Sequence, residues 1–203
     1  MASTEGVPLL VVVSGPSGVG KDTLLERLAQ LNGDVKMQFV VTATTRKPRE
    51  GERDGVNHHF MDRTAFERMI ERGELLEYAN VYGNYYGVPK SQVRDALREG
   101  RHVLLRVDVQ GAERLRTVAP EAVFVFVLPP SLETLEARLH ARGKDSPESI
   151  KTRLAAARTE IEQSDRFDYR IVNGDGAIDD SVKELVDIIR RESKRKPPRV
   201  VKV

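Results

Sequence analysis

Residues 15–23 read Gly-Pro-Ser-Gly-Val-Gly-Lys-Asp-Thr, directly after the apolar run Leu9–Val13. Glycines and a lysine at this spacing suit the holding of phosphate. Glycine lets the backbone bend until successive N–H groups point at phosphate oxygens. The helix that follows adds the positive end of its dipole, and Lys21 supplies a point charge for the β and γ phosphates. The candidate triphosphate-binding residues are therefore Gly15, Pro16, Ser17, Gly18, Val19, Gly20, Lys21, Asp22 and Thr23. One of them breaks the pattern G-x-x-x-x-G-K-[ST]: Asp22 stands where a Ser or Thr helps to hold magnesium. The bland alternative is an ordinary Gly-rich turn. Context disfavours it, because a strand-like run precedes the loop and Leu24, Leu25, Leu28 and Leu31 follow at helical spacing.

A second set of residues suits a smaller phosphate. Arg46 and Arg49 lie three apart around Pro48 and follow the hydroxyls of Thr42, Thr44 and Thr45; guanidinium forks bind phosphate bidentately. Four of the five tyrosines fall within residues 78–86. Tyrosine offers a stacking face and a hydroxyl, which suits a purine monophosphate. Glu77 can accept the N–H donors of guanine's Watson–Crick edge, where adenine would present an acceptor. Further on, Arg138, Arg142, Gly143 and Arg153 give residues 138–153 the composition of a lid, with Ser146 as N-cap of a helix starting near Pro147. A solvated helical hairpin is the alternative there.

The elements that must position these residues are legible in outline. Leu9–Val13, Val103–Val107, Val123–Leu128 and Tyr169–Val172 read as buried parallel strands. Helical patterns cover about 21–31, 64–72, 90–99, 111–118, 131–141 and 177–191. Strands alternating with helices imply an α/β fold with right-handed crossovers and ligands at the strands' carboxyl ends. Ser14-Gly15, Asp108 and Asn173 should therefore converge on one cleft. The 203 residues form one domain: a core over about 8–40, 91–136 and 160–192, a polar insert over 41–90, a lid over 137–159, and a basic, frayed tail over 193–203.

Composition sets bounds. Hydrophobic residues at 39% suffice for a core, and charged residues at 32% suggest a solvated, helix-rich exterior. A net charge of +2 does not call for a nucleic-acid partner, and the absence of cysteine excludes disulfides and thiolate chemistry. No apolar run approaches the roughly 20 residues that span a bilayer, and the N-terminus lacks a signal peptide's basic region. A cytoplasmic protein is expected, with no membrane or obligatory protein partner, as a monomer or homodimer.

A phosphate loop, an Arg-Lys-Pro-Arg site, a Tyr-Gly cluster and an arginine lid, in that order, describe a nucleoside monophosphate kinase. The chain resembles guanylate kinase over about residues 8–192, through Ser14–Lys21, Thr44–Arg49, Gly83–Gly87, Val107–Gly111, Leu128–Ser131, Arg142-Gly143 and Ile171–Asn173. The resemblance implies an α/β P-loop core of three α/β/α layers with a parallel sheet, a GMP-binding insert with mixed β structure and a helical lid. It implies transfer of the γ-phosphoryl group of ATP to GMP, and dGMP, with Mg²⁺, in purine nucleotide metabolism and GMP recycling. By position, Arg46, Arg49 and Tyr86 would hold the GMP phosphate, Glu77 and Asp108 would read guanine, and Thr42 takes the place of a Ser that contacts the base. Gln110, in the run Asp108–Gly111, belongs to the same site. Lys21, Arg138, Arg142 and Arg153 would act on the transferring group, and Asn173 would lie near adenine.

The chain also departs from that pattern. His58 replaces a tyrosine that touches the GMP phosphate, and an imidazole can still donate there. Val88 replaces a hydroxyl residue near guanine. Arg106 replaces an acid on the strand facing the phosphate loop, while Asp22 puts an acid on the loop itself. A compensating exchange is expected, with Asp22 near Mg²⁺, directly or through water, and Arg106 offsetting its charge. Two rivals remain. A ribose 1,5-bisphosphate kinase shares a loop like Gly20-Lys21-Asp22-Thr23 but not the guanine-site residues. A guanylate-kinase-like binding module usually lacks a working phosphate loop. A translation-type GTPase is disfavoured, since no Asn-Lys-x-Asp element occurs.

Overall fold

The computed structural model describes residues 6–31, 35–81, 83–141 and 146–203. Its centre is β1 (Leu10–Ser14), whose five residues are all buried. A strand buried on both faces must be apolar throughout, and this one begins as a β-branched and leucine run. It starts one residue later than the sequence suggests. After the phosphate loop comes α1 (Lys21–Gln30). Then β2 (Met37–Phe39) adds a short strand that the sequence did not reveal. Its three residues are only partly buried and contain no β-branched side chain, so neither periodicity nor propensity marks them.

The insert follows. β3 (Ala43–Thr44), β4 (His59–Phe60), β5 (Leu75–Val81) and β6 (Asn84–Pro89) form a separate sheet in the order β4-β3-β6-β5. The β3–β4 pair is parallel and the others are antiparallel. Between β4 and β5 lies α2 (Arg63–Glu71), capped by Asp62, whose carboxylate accepts from the Ala65 N–H at 2.7 Å. Phe66 of α2 joins Ala43 and Leu75 in a small core belonging to the insert alone.

The main sheet is completed by β7 (His102–Arg106), β8 (Val123–Leu128) and β9 (Tyr169–Val172). Its order is β2-β7-β1-β8-β9, with every pair parallel. Alternating side chains divide the core into two layers. Val11, Val13, Leu104, Val125 and Val127 pack with Leu24 and Leu28 of α1 and Leu185 and Ile189 of α7 (Ile178–Ser193). Leu10, Val12, Leu105, Phe124 and Phe126 pack with Val93 of α3 (Lys90–Arg98) and Ala112 and Leu115 of α4 (Val109–Val118). The result is a helix–sheet–helix sandwich. The lid helices α5 (Leu132–Ala141) and α6 (Pro147–Glu162) meet through Leu135, Leu139, Ile150 and Ala157. Ser146 caps α6, its hydroxyl accepting from the Ser149 N–H at 3.3 Å.

The C-terminal residues differ from the frayed tail expected of their composition. Arg199 donates from Nε to Glu192 at 2.7 Å and from a terminal nitrogen to the Ala122 carbonyl at 2.8 Å, and it pairs with Asp168 at 3.2 Å. Val201 and Val203 lie against the α3–α4 side of the core. A basic, proline-broken sequence signals poor helix, not poor packing, and the buried acid Glu192 is what anchors it.

Candidate nucleotide site

The phosphate loop turns through three glycines at positive φ, Gly15 at 140°, Gly18 at 90° and Gly20 at 96°. Two are sterically obligatory. A Cβ on Gly15 would stand 2.3 Å from the Val127 carbonyl oxygen, and one on Gly20 would stand 2.5 Å from the Asn173 side-chain nitrogen. Lys21 folds its ammonium back over the loop, donating to the Gly15 carbonyl at 2.5 Å and the Pro16 carbonyl at 3.1 Å. The charge is thereby parked above the loop's N–H groups at the N-terminus of α1, where anions are favoured.

On one side of the loop opens a cavity of about 390 Å³, lined by Gly15, Ser17 and Lys21 from the loop and by Thr42, Glu77, Tyr86, Val88, Asp108 and Gly111 opposite. It adjoins a second cavity walled by Arg46, Arg49 and Glu52, and the two share Asp22, Thr42, His58, Tyr86 and Arg106. The sequence's two phosphate-binding sets thus line adjoining cavities. Asp108 sits at the carboxyl end of β7, where it caps α4 by accepting from the Gly111 N–H at 2.6 Å.

Arg46 is held by its neighbours. It donates to the Tyr86 hydroxyl at 3.2 Å, to the Lys47 carbonyl at 2.7 Å and to both oxygens of Glu52 at 2.9 Å. Those hydrogen bonds and the Arg49 N–H pull the Glu52 carboxyl down to about 2. Most of the Arg46 fork is committed to protein, so Arg46 provides fixed charge and aims Tyr86, while Arg49 stands exposed on the cavity wall. His58 lies 2.8 Å from the Thr42 hydroxyl through Nδ1. Burial, reinforced by Arg46, lowers its pKa from 6.5, so the ring is neutral at pH 7.

At the far end Glu77 is almost fully buried, with 8% side-chain exposure. Burial raises its pKa, and Arg114 on α4 opposes that rise by donating to it at 2.5 Å. Arg114 and Glu52 are functional candidates that residue-by-residue reading missed. Each acts through a recognised residue: Glu52 on Arg46 six positions before it, and Arg114 on Glu77 across 37 positions. Glu160 is a third. It lines the same cavity from α6, and burial raises its carboxyl against the pull of Lys21.

On the other side of the loop lies a cavity of about 400 Å³ bounded by Gly18, Gly20, Thr23, Arg138 and Asn173. Gly15, Asp108 and Asn173 therefore do not share a single cleft; the loop separates Asn173 from the other two. Asn173 is buried, and its amide donates to the Val19 carbonyl at 2.8 Å, so it supports the loop from below. Arg138 donates to the Val19 carbonyl at 3.2 Å, the Asn173 carbonyl at 2.8 Å and Asp175 at 2.6 Å. Arg153 is half-buried on α6, seven residues and two turns before Glu160 on the same face. Gln110 is exposed on the first turn of α4 and does not line the cavity beside Asp108; Gly111 and Arg114 do. Arg142 and Tyr82 lie outside the described residues.

The sequence model of a family described as guanylate kinase matches residues 8–192. A guanylate kinase from Clostridioides difficile is 47% identical over 187 residues, covering 92% of this chain and 89% of that protein. The chain belongs to the guanylate kinase family. A rice protein named guanylate kinase 2, chloroplastic/mitochondrial, is 44% identical, covering 97% of this chain and 68% of that one. Among solved structures, a guanylate kinase from Anaplasma phagocytophilum superposes with a TM-score of 0.74 at 33% identity, covering 95% of this chain and 89% of that chain. Guanylate kinases use ATP and GMP.

Proposed function

We infer that this chain is a kinase that moves the γ-phosphoryl group of ATP to the phosphate of GMP, giving ADP and GDP. The observation that carries this is the pair of adjoining cavities, one lined by the P-loop lysine with Glu77 and Asp108, the other by Arg46 and Arg49. In the proposed arrangement the loop N–H groups and Lys21 hold the triphosphate. Arg49, His58 and the Arg46-anchored Tyr86 hydroxyl hold the acceptor phosphate. Glu77, paired with Arg114, and Asp108 accept guanine's N–H donors, and Thr42 orients His58. A neutral His58 whose Nδ1 accepts from Thr42 presents its Nε2–H to the cavity.

The acceptor is already a phosphate oxygen, so no general base is needed. Positioning and charge stabilisation carry the reaction, because phosphoryl transfer passes through a loose transition state. Arg138, Arg142 and Arg153 on the lid are proposed to neutralise the transferring group as insert and lid close and exclude water. No cluster of three or more metal-ligating side chains occurs among the described residues. Asp22 offers one carboxylate beside Lys21, which fits Mg²⁺, an ion that takes one or two carboxylates with phosphates and waters. Bound there with ATP, it would neutralise phosphate charge. The chain is proposed to act in the cytoplasm, as a monomer or homodimer.

The test is ADP release from ATP–Mg with GMP, dGMP, AMP, UMP and ribose 1,5-bisphosphate side by side. GMP should be the best acceptor, with dGMP second. Turnover of the sugar phosphate without turnover of GMP would overturn the reading.

A further inference from the structure

Asp22 and Arg106 are the two site residues that depart together from the family pattern, and the fold brings them into contact. Arg106 ends β7, two residues after Leu104, which packs on the α1 side of the sheet. Side-chain alternation therefore turns Arg106 toward α1. There its guanidinium pairs with the carboxylate of Asp22, in the first turn of that helix. Both side chains line both joined cavities, the one holding Lys21 and the one walled by Arg46 and Arg49. At 43% and 54% side-chain exposure, both are open to a ligand.

A bare carboxylate at this position would compete with phosphate for the positive end of α1 and repel it. Arg106 removes that conflict while the site is empty. Once a triphosphate and its metal arrive, each member of the pair has a better partner: phosphate oxygen for the guanidinium, a hard dication for the carboxylate.

We propose that Asp22 and Arg106 form one exchange unit, in which the carboxylate holds the guanidinium in the empty enzyme and releases it to phosphate when metal–ATP binds. Arg106 then serves as a cation between the donor and acceptor phosphate sites, and Asp22 faces the metal's water shell. This rests on the reading of the chain as an ATP-using kinase but not on the identity of its acceptor.

Equilibrium binding of ATP to the full chain, with EDTA or with Mg²⁺ and with no acceptor present, tests it. In EDTA, Arg106→Met should bind ATP about tenfold more weakly than wild type, since a lone acid then faces the phosphates. Arg106→Lys, which keeps the charge, should recover most of the loss. Asp22→Asn should bind metal-free ATP at least as tightly as wild type, and the double variant Asp22→Asn/Arg106→Met should fall within about threefold of wild type, the non-additivity expected of contacting residues. Mg²⁺ should tighten ATP binding to wild type, and Asp22→Asn should lose most of that gain. The proposal is overturned if Arg106→Met binds metal-free ATP as wild type does, or if Asp22→Asn keeps the full Mg²⁺ gain. Thermal melting of each variant separates lost affinity from lost fold. Because no GMP is present, failure of the acceptor assignment would leave this result standing.

Discussion

Glu77 shows how a single residue is made fit for its task by another. Burial alone pushes its carboxyl toward the protonated form, which would turn the proposed acceptor of guanine's N–H groups into a donor. Arg114 opposes that push by donating to the carboxylate. Arg114→Met should therefore raise KM for GMP about tenfold and leave kcat nearly unchanged, the signature of an interaction made equally in ground and transition states. Steady-state kinetics at varied GMP checks this, and an equal fall in kcat would move Arg114 into the chemistry. His58 gives a pH test. Its pKa is lowered in the folded protein, so between that value and 6.5 the unfolded chain binds the extra proton. Its neutral state therefore favours folding above about pH 6.5 and costs stability as pH falls below it. The melting temperature of wild type minus that of His58→Phe should decrease from pH 7.5 to pH 5, and an unchanged difference would contradict the buried neutral ring.

At the scale of elements, legibility followed periodicity. β8 and β9 stand where their apolar runs put them, and α3, α5 and α7 fall within a residue or two of their helical patterns. β2 was illegible because edge pairing with β7, not composition, makes it a strand. The tail was misread because its anchor is tertiary: Arg199 finds Glu192 and Asp168 only after α7 and β9 have packed. Arg199→Ala should then cost about 2 kcal/mol of stability, as for a hydrogen-bonded charge pair with 12% and 7% side-chain exposure. Thermal melting should show a fall of roughly 4–8 °C in Tm for a chain of this size. A shift under a degree would mean the tail is not part of the folded unit.

The proposed donor and acceptor phosphate sites lie on two bodies of secondary structure. The loop belongs to the main sheet, and Arg46, Arg49 and Tyr86 belong to the insert with its own small core. The motifs proposed for both sites are legible in sequence, since glycine, lysine and arginine spacings are local. The supporting contacts of Asn173 beneath Val19 and Arg114 on Glu77 join elements that only the fold brings together. The same holds for Asp22 and Arg106, where the departures were visible in sequence and their contact was not. Phosphoryl is proposed to pass directly between the two sites. Incubation with ATP radiolabelled at the γ-phosphate, Mg²⁺ and GMP tests this. Label should leave ATP into the β-phosphate of GDP, one GDP for each ADP formed. Label released as inorganic phosphate at the rate of ADP formation, with none in GDP, would contradict it.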